Sequence, residues 1–142
     1  ITKDKNIILE KIKNKNYKRN IICVEAEWQD VPYLLSMSSF MVSFIKPTFA
    51  KIASSPTKVA EAFALGIPVI SNSGIGDLDE LIIKLDLGVI MNVNNNNYDD
   101  FIECNINKIL TFSKQTIINN SLNIFDIKKS KASYKKIYEK LT

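Results

Sequence analysis

Histidine is missing from this chain, and with it the commonest general base and every Ser-His or Cys-His nucleophile pair. Any catalysis by this segment has to be electrostatic or completed by residues from elsewhere. Cysteine is nearly missing too: Cys23 and Cys104 lie far apart, with no CxxC spacing around either, so neither a disulfide framework nor a zinc site is expected. Free thiols of this kind suit a reducing cytosol. Arg19 is the sole arginine, and no arginine cluster, RNP-like run or zinc-finger spacing is present, which argues against a nucleic-acid partner. No apolar stretch approaches the roughly 18 residues that span a bilayer, and no signal peptide precedes the first element, so a soluble protein is expected. Internal repeats and linker-like segments are lacking as well.

What is present is enough for one core. The 142 residues are 46% hydrophobic, which fits one domain over residues 1–142 and leaves no room for a second. Nineteen basic and fifteen acidic residues give a net charge of +4 and a pI near 9.0, favouring anionic partners without choosing among them. The chain starts at Ile1 and not at Met, and we expect it to be part of something longer.

Periodicity predicts an alternating α/β series. DKNIILEKIK (4–13) reads as a helix, broken by NKNYKRN. IICVEA (21–26) reads as a strand, and Asp30 with Pro32 as the start of a short helix. FMVSFI (40–45) is a strand, followed by a long basic loop, KPTFAKIASS, and a helix over 56–65. PVISN (68–72), DLDELIIKL (77–85) and GVIMN (88–92) read as strand, helix and strand. Strands that hardly alternate in polarity imply a sheet covered on both faces, hence parallel pairing and an α/β class. Asn94 to Asn97 read as a loop. Two helices, 98–112 and 113–120, follow, and a last one over 127–141 is expected to dock on the domain through Tyr134, Ile137, Tyr138 and Leu141.

The chemistry concentrates at residues 46–61. Ligands of open parallel sheets sit beyond the carboxyl ends of the strands, where this loop departs. Ser55 is expected to cap the helix with Pro56 at its first position, leaving the N–H groups of Thr57 and Lys58 at the positive end of the dipole. Lysine in a first turn opposes the dipole at a cost of about 0.3–1 kcal/mol, so Lys58 suggests an anionic ligand without requiring one. A bland alternative is an ion pair between Lys58 and Glu61 at i,i+3.

The run KVAEAFALGIPVISNSGIGDLDELI resembles the donor-site segment of retaining glycosyltransferases of GT-B fold, the family-four group. Glu61-Ala62-Phe63-Ala64-Leu65-Gly66-Ile67-Pro68-Val69-Ile70 follows the usual Leu-Glu-Ala-x-Ala-x-Gly-x-Pro-Val-Ile closely. VPYLLSMSSFMVSFI resembles the preceding helix and strand, and FDIKKSKASYKKIYEKL the closing helix, so the likeness runs from about residue 21 to the end. It implies a Rossmann-like parallel sheet with helices on both faces, the C-terminal half of such an enzyme. It also implies a nucleotide-diphospho-sugar donor, and a glycan or lipid-linked acceptor approached from a separate N-terminal domain. By position, Glu61 would hold the ribose hydroxyls, and Lys58 with the preceding loop N–H groups the diphosphate. Ser54, Ser55, Thr57 and Lys46 complete the candidate donor site. Such a site needs no histidine, metal or cofactor, because fixed charge and dipoles stabilise the leaving group.

Two departures from the pattern stand out. The family's glutamate eight positions before Glu61 is Ala53 here, which leaves sugar recognition to Ser54, Ser55 or backbone groups, or impairs transfer. The family domain also opens with two further strands, and these are central in its sheet. A chain starting at Ile1 is therefore expected to lack the middle of that sheet and to borrow strands from another polypeptide or a swapped copy. The fragment alone is not expected to turn over.

Other residues carry weaker signals. Trp28 is a candidate for stacking on a base, although a lone Trp after a strand more often packs. Lys46 and Lys51 are candidates for phosphate or acceptor contact, Asp77, Asp79 and Glu80 for enriching a helix start rather than binding metal, and Lys128, Lys129 and Lys131 for a solvated face or anionic lipid. The implied protein is cytoplasmic, with peripheral attachment at the inner face of a membrane as the alternative. The competing expectation is a non-catalytic doubly wound nucleotide-binding or interaction domain in which Ala53 marks lost transfer.

Overall fold

The computed structural model describes residues 1, 4–13, 21–92 and 98–141. The chain divides into two compact units, Ile1–Met37 and Ser38–Thr142. The turn expected at residues 14–20 and the loop expected at Asn94 to Asn97 lie outside the described residues.

The first unit holds helix α1 (Lys5–Lys13) and helix α2 (Val31–Ser36), neither of which has a buried residue. Asp30 occupies the N-cap of α2 with Pro32 in its first turn, as its sequence suggests, but its side chain makes no capping bond because its backbone is already helical (φ −87°, ψ −17°). IICVEA forms no strand. A β-branched run becomes a strand by ladder pairing, and none is made here; Ile22 is 82% exposed.

The second unit is mixed α/β. Strands β1 (Met41–Ser43), β2 (Val69–Asn72) and β3 (Gly88–Met91) form a parallel sheet in sequential order, with Val42 opposite Ile70 and Ile70 opposite Val89. Between β1 and β2 run helices α3 (Phe49–Ile52) and α4 (Thr57–Ala64), and between β2 and β3 helix α5 (Leu78–Lys84). The segment expected to be a plain loop over 46–55 thus contains a helical turn. All four residues of β2 are buried, and because successive residues of a strand face opposite sides, the central strand is covered on both. Helix α6 (Tyr98–Leu110) supplies Phe101 and Ile109, which pack with Ile70, Val89 and Phe40. Helix α7 (Lys114–Phe125) runs five residues beyond the expected end and packs on α4, where the rings of Phe63 and Phe125 lie 5.9 Å apart.

Two helix ends explain the sharp returns to the sheet. At the end of α4, Ile67 N–H bonds to Ala62 carbonyl (2.9 Å) and Gly66 N–H to Phe63 carbonyl (2.9 Å), a Schellman motif in which Gly66 takes φ +72°. The Gly-x-Pro signature is this motif. Helix α5 ends the same way, with Leu87 N–H on Ile82 carbonyl (3.0 Å), but the left-handed position is Asp86 at φ +53°. Asp tolerates that conformation better than branched residues do. Asp86→Val is therefore expected to cost about 1–2 kcal/mol in urea denaturation, while Asp86→Gly does not destabilise.

Helix α8 (Ile127–Tyr138) corrects an expectation. Asp126 caps it, accepting from Lys128 N–H at 2.8 Å, but the helix buries no residue, so its apolar stripe is not docked on the domain. Patterning places apolar side chains on one face, whereas docking also requires a matching surface. Among the described residues, no helix is long and apolar enough to cross a membrane.

Candidate functional site

Parallel pairing puts the carboxyl ends of β1, β2 and β3 at one end of the sheet, and the loops after β1 and β2 meet there. Asn72 makes the first connection. It is 3% exposed, its Oδ1 accepts from Ile45 N–H (2.7 Å), and its Nδ2 donates to Ile45 carbonyl (2.9 Å) and Ser73 carbonyl (3.0 Å). The amide thereby continues the β1–β2 ladder with a side chain and satisfies a buried polar group in doing so. Ser71 hydroxyl donates to Ser43 carbonyl (3.1 Å) just before it. Together these bonds fix the direction in which Lys46 and the rest of the loop leave β1.

The second connection closes the loop's far end. Lys51 carbonyl accepts from Ser54 N–H (3.2 Å), Ser54 hydroxyl (3.0 Å) and Gly76 N–H (3.2 Å). Gly76 has φ +51°, and a Cβ there would run into the Ser54 carbonyl, so a side chain at this position would push the two loops apart. On the same turn Gly74 N–H donates to Asp79 Oδ2 (2.9 Å), while Asp79 Oδ1 is buried and has no partner among the described residues. Asp79 thus braces the glycine loop across the start of α5, more than the simple enrichment of a helix start that its position suggests.

Helix α4 begins beside this junction, one residue later than expected. Pro56, with ψ 112°, is the N-cap, and Ser55 makes no capping bond. Proline fixes φ but leaves ψ free, and an extended ψ puts it outside the helix. Thr57 and Lys58 are then the first two helical residues, and their N–H groups belong to the set that no helical carbonyl can reach. Val59 N–H is satisfied by Pro56 carbonyl (3.0 Å). The buried face of the helix is Val59, Ala62 and Phe63, which turns Lys58 and Glu61 to solvent.

The expected residues fall as follows. Ser54 is half-buried at the loop junction; Ser55, Thr57, Lys58, Glu61 and Lys46 are exposed. Lys58 and Glu61 make no ion pair with each other, so the bland alternative for that spacing is not realised. Ala53 closes α3, and the segment from Lys46 to Lys58 has no carboxylate. The arrangement is an open shelf of N–H groups, hydroxyls and lysines, to which an anion fits better than a cation. Among the described residues, no group of three or more cysteine, aspartate or glutamate side chains could hold a metal ion. A separate cleft lined by Asp86, Lys108, Phe112 and Ser113 lies before the amino end of β3, away from the shelf.

Comparisons with protein-family models, curated proteins and solved structures gave no match. The likeness to glycosyltransferase donor segments therefore stands on the residues of 21–142 themselves. Those residues did not single out Asn72, and they gave Asp79 only as part of a helix start. A polar residue at the end of an apolar run is the signal for Asn72, and an acid five residues after a loop glycine that for Asp79. Trp28 belongs to the Ile1–Met37 unit and is exposed in the turn that leads into α2.

Proposed function

We propose that the Ser38–Thr142 unit binds a nucleotide-diphospho-sugar and is the donor-binding, Rossmann-like part of a retaining GT-B glycosyltransferase. In this reading the diphosphate sits on the N–H groups of Thr57 and Lys58 and on the Lys58 ammonium, while Glu61 accepts the ribose hydroxyls. Ser54 and Ser55 line the approach, with Lys46 at the loop's start. As the glycosyl group passes to a glycan or lipid-linked acceptor hydroxyl, charge grows on the departing nucleoside diphosphate, and the helix dipole and Lys58 stabilise it. The acceptor would come from a separate N-terminal domain, at the inner face of a membrane.

The observation that carries this reading is the junction at the strand ends. Asn72, Lys51 and Gly76 hold two loops against each other at the start of a helix whose solvent side carries Lys58 and Glu61. Asp77 follows Gly76, is exposed, and stands at the N-cap of α5 without a side-chain capping bond. We assign to it the sugar contact that Ala53 does not supply.

The missing carboxylate at Ala53 also favours a second reading, a nucleotide-binding domain that transfers nothing. Calorimetric titration with uridine, guanosine and adenosine diphosphosugars, each beside its nucleoside diphosphate, separates the two. The first reading expects saturable binding weakened about 10- to 100-fold in both Lys58→Ala and Glu61→Ala, the range of one or two charged hydrogen bonds. It also expects the sugar to add affinity that Asp77→Asn removes. Equal affinity for diphosphate and diphosphosugar would favour the second reading, and no binding to any of them would refute both.

A further inference from the structure

Helix α8 contains five lysines (Lys128, Lys129, Lys131, Lys135 and Lys136) and buries none of its residues; its carboxylates are confined to the two caps, Asp126 and Glu139, the latter 3.7 Å from Lys135 Nζ. Its apolar side chains are nonetheless ordered. At 3.6 residues per turn Ile127, Tyr134 and Ile137 fall within about 80° of the circumference, and Leu141 continues the stripe in the closing turn. Their exposures run from 56% at Ile137 to 80% at Ile127. Ile124 of α7 joins them across a shallow groove that Tyr134 and Ile137 line.

Charge decides what can cover this stripe. A second copy of the helix would bring two sets of five lysines together around a small apolar seam, and like charges so placed repel. A nucleic acid would engage the lysines but leave Ile127, Ile137 and Leu141 in water. An anionic bilayer surface satisfies both halves at once: aliphatic side chains enter the headgroup boundary, Tyr134 sits at the interface, and lysine stems reach outward to phosphates. Within the helix, Lys131 and Lys135 flank the stripe on the side that also carries Lys128.

We propose that α8 is an interfacial helix that holds this protein on membranes containing anionic lipid. The proposal does not depend on the donor site. Co-sedimentation of the chain with sucrose-loaded vesicles, either phosphatidylcholine alone or mixed with phosphatidylglycerol, tests it at near-physiological salt. Association is expected with the anionic vesicles and at least 10-fold weaker with neutral ones. Replacing Lys128, Lys131 and Lys135 by Gln should weaken it roughly 100-fold, each lysine near such a surface contributing about fivefold. Ile127→Ser combined with Ile137→Ser should weaken it about 10-fold or more at unchanged charge. All five substitutions are at exposed positions, and unchanged circular dichroism establishes that the fold is kept. Equal binding to both vesicle types, no binding to either, or indifference to the isoleucine substitutions would overturn the proposal. So would a dimer in solution that the isoleucine substitutions dissolve.

Discussion

Gly76→Ala is expected to destabilise the Ser38–Thr142 unit by about 2–4 kcal/mol, an unusually large effect for adding one methyl group to an exposed turn. Two physical costs add. Alanine at φ +51° pays roughly 1 kcal/mol or more for a left-handed conformation. Its Cβ must also displace the Ser54 carbonyl, and forcing atoms into an occupied position costs about 1–3 kcal/mol. Relief comes by moving the 46–55 loop, which breaks the bond from Gly76 N–H to Lys51 carbonyl. The substitution should therefore lower the urea midpoint, and under the proposed function it should also weaken donor binding beyond what the stability loss explains. Gly74→Ala is the control: it has a positive φ of 86°, but a Cβ there meets Pro47 at an ordinary 3.7 Å. It should show the conformational cost without the steric one.

Phe63→Ala should cost about 3–5 kcal/mol, comparable to much of the stability of a domain this size. Phe63 is fully buried on the inner face of α4 and meets Phe125 at a tilt of 39°. Its carbonyl also accepts from Ser121 hydroxyl (3.5 Å), so the same residue joins α4 to α7 through ring and backbone. A cavity there unclamps the helix whose first turn carries Lys58. Denaturant titration followed by circular dichroism should show a lower midpoint. Phe63→Leu, which keeps most of the volume, should lose no more than about half as much.

The order of elements from β1 to α5 can be read from the chain because each is marked locally: apolar runs of strand length, Pro56 near one helix start and Gly66 just past its end. What could not be read depends on partners distant in sequence. IICVEA has the composition of a strand, yet a strand exists through its ladder, and composition names no partner. The stripe of α8 is legible as a stripe, but the period of a helix does not say what surface will meet it. At the site, Lys58 and Glu61 stand out because their charge is conspicuous at a helix start. Asn72 does not, since an asparagine ending an apolar run reads as the beginning of a loop; its role appears when Ile45, 27 residues earlier, is placed beside it. The one-residue shift of the cap has a local cause, the free ψ of Pro56, that residue type leaves undetermined.

The central claim is that an anionic diphosphate rests on the first turn of α4. Amide chemical-shift mapping of the ¹⁵N-labelled chain, titrated with a nucleoside diphosphosugar, tests it most directly. The largest shifts are expected at Thr57 and Lys58, with smaller ones at Ser54, Ser55, Gly76 and Glu61, and in Lys58→Ala they should need about 10- to 100-fold more ligand. Shifts centred instead on the cleft around Lys108 and Ser113, or none along residues 54–61 at saturating ligand, would contradict the account.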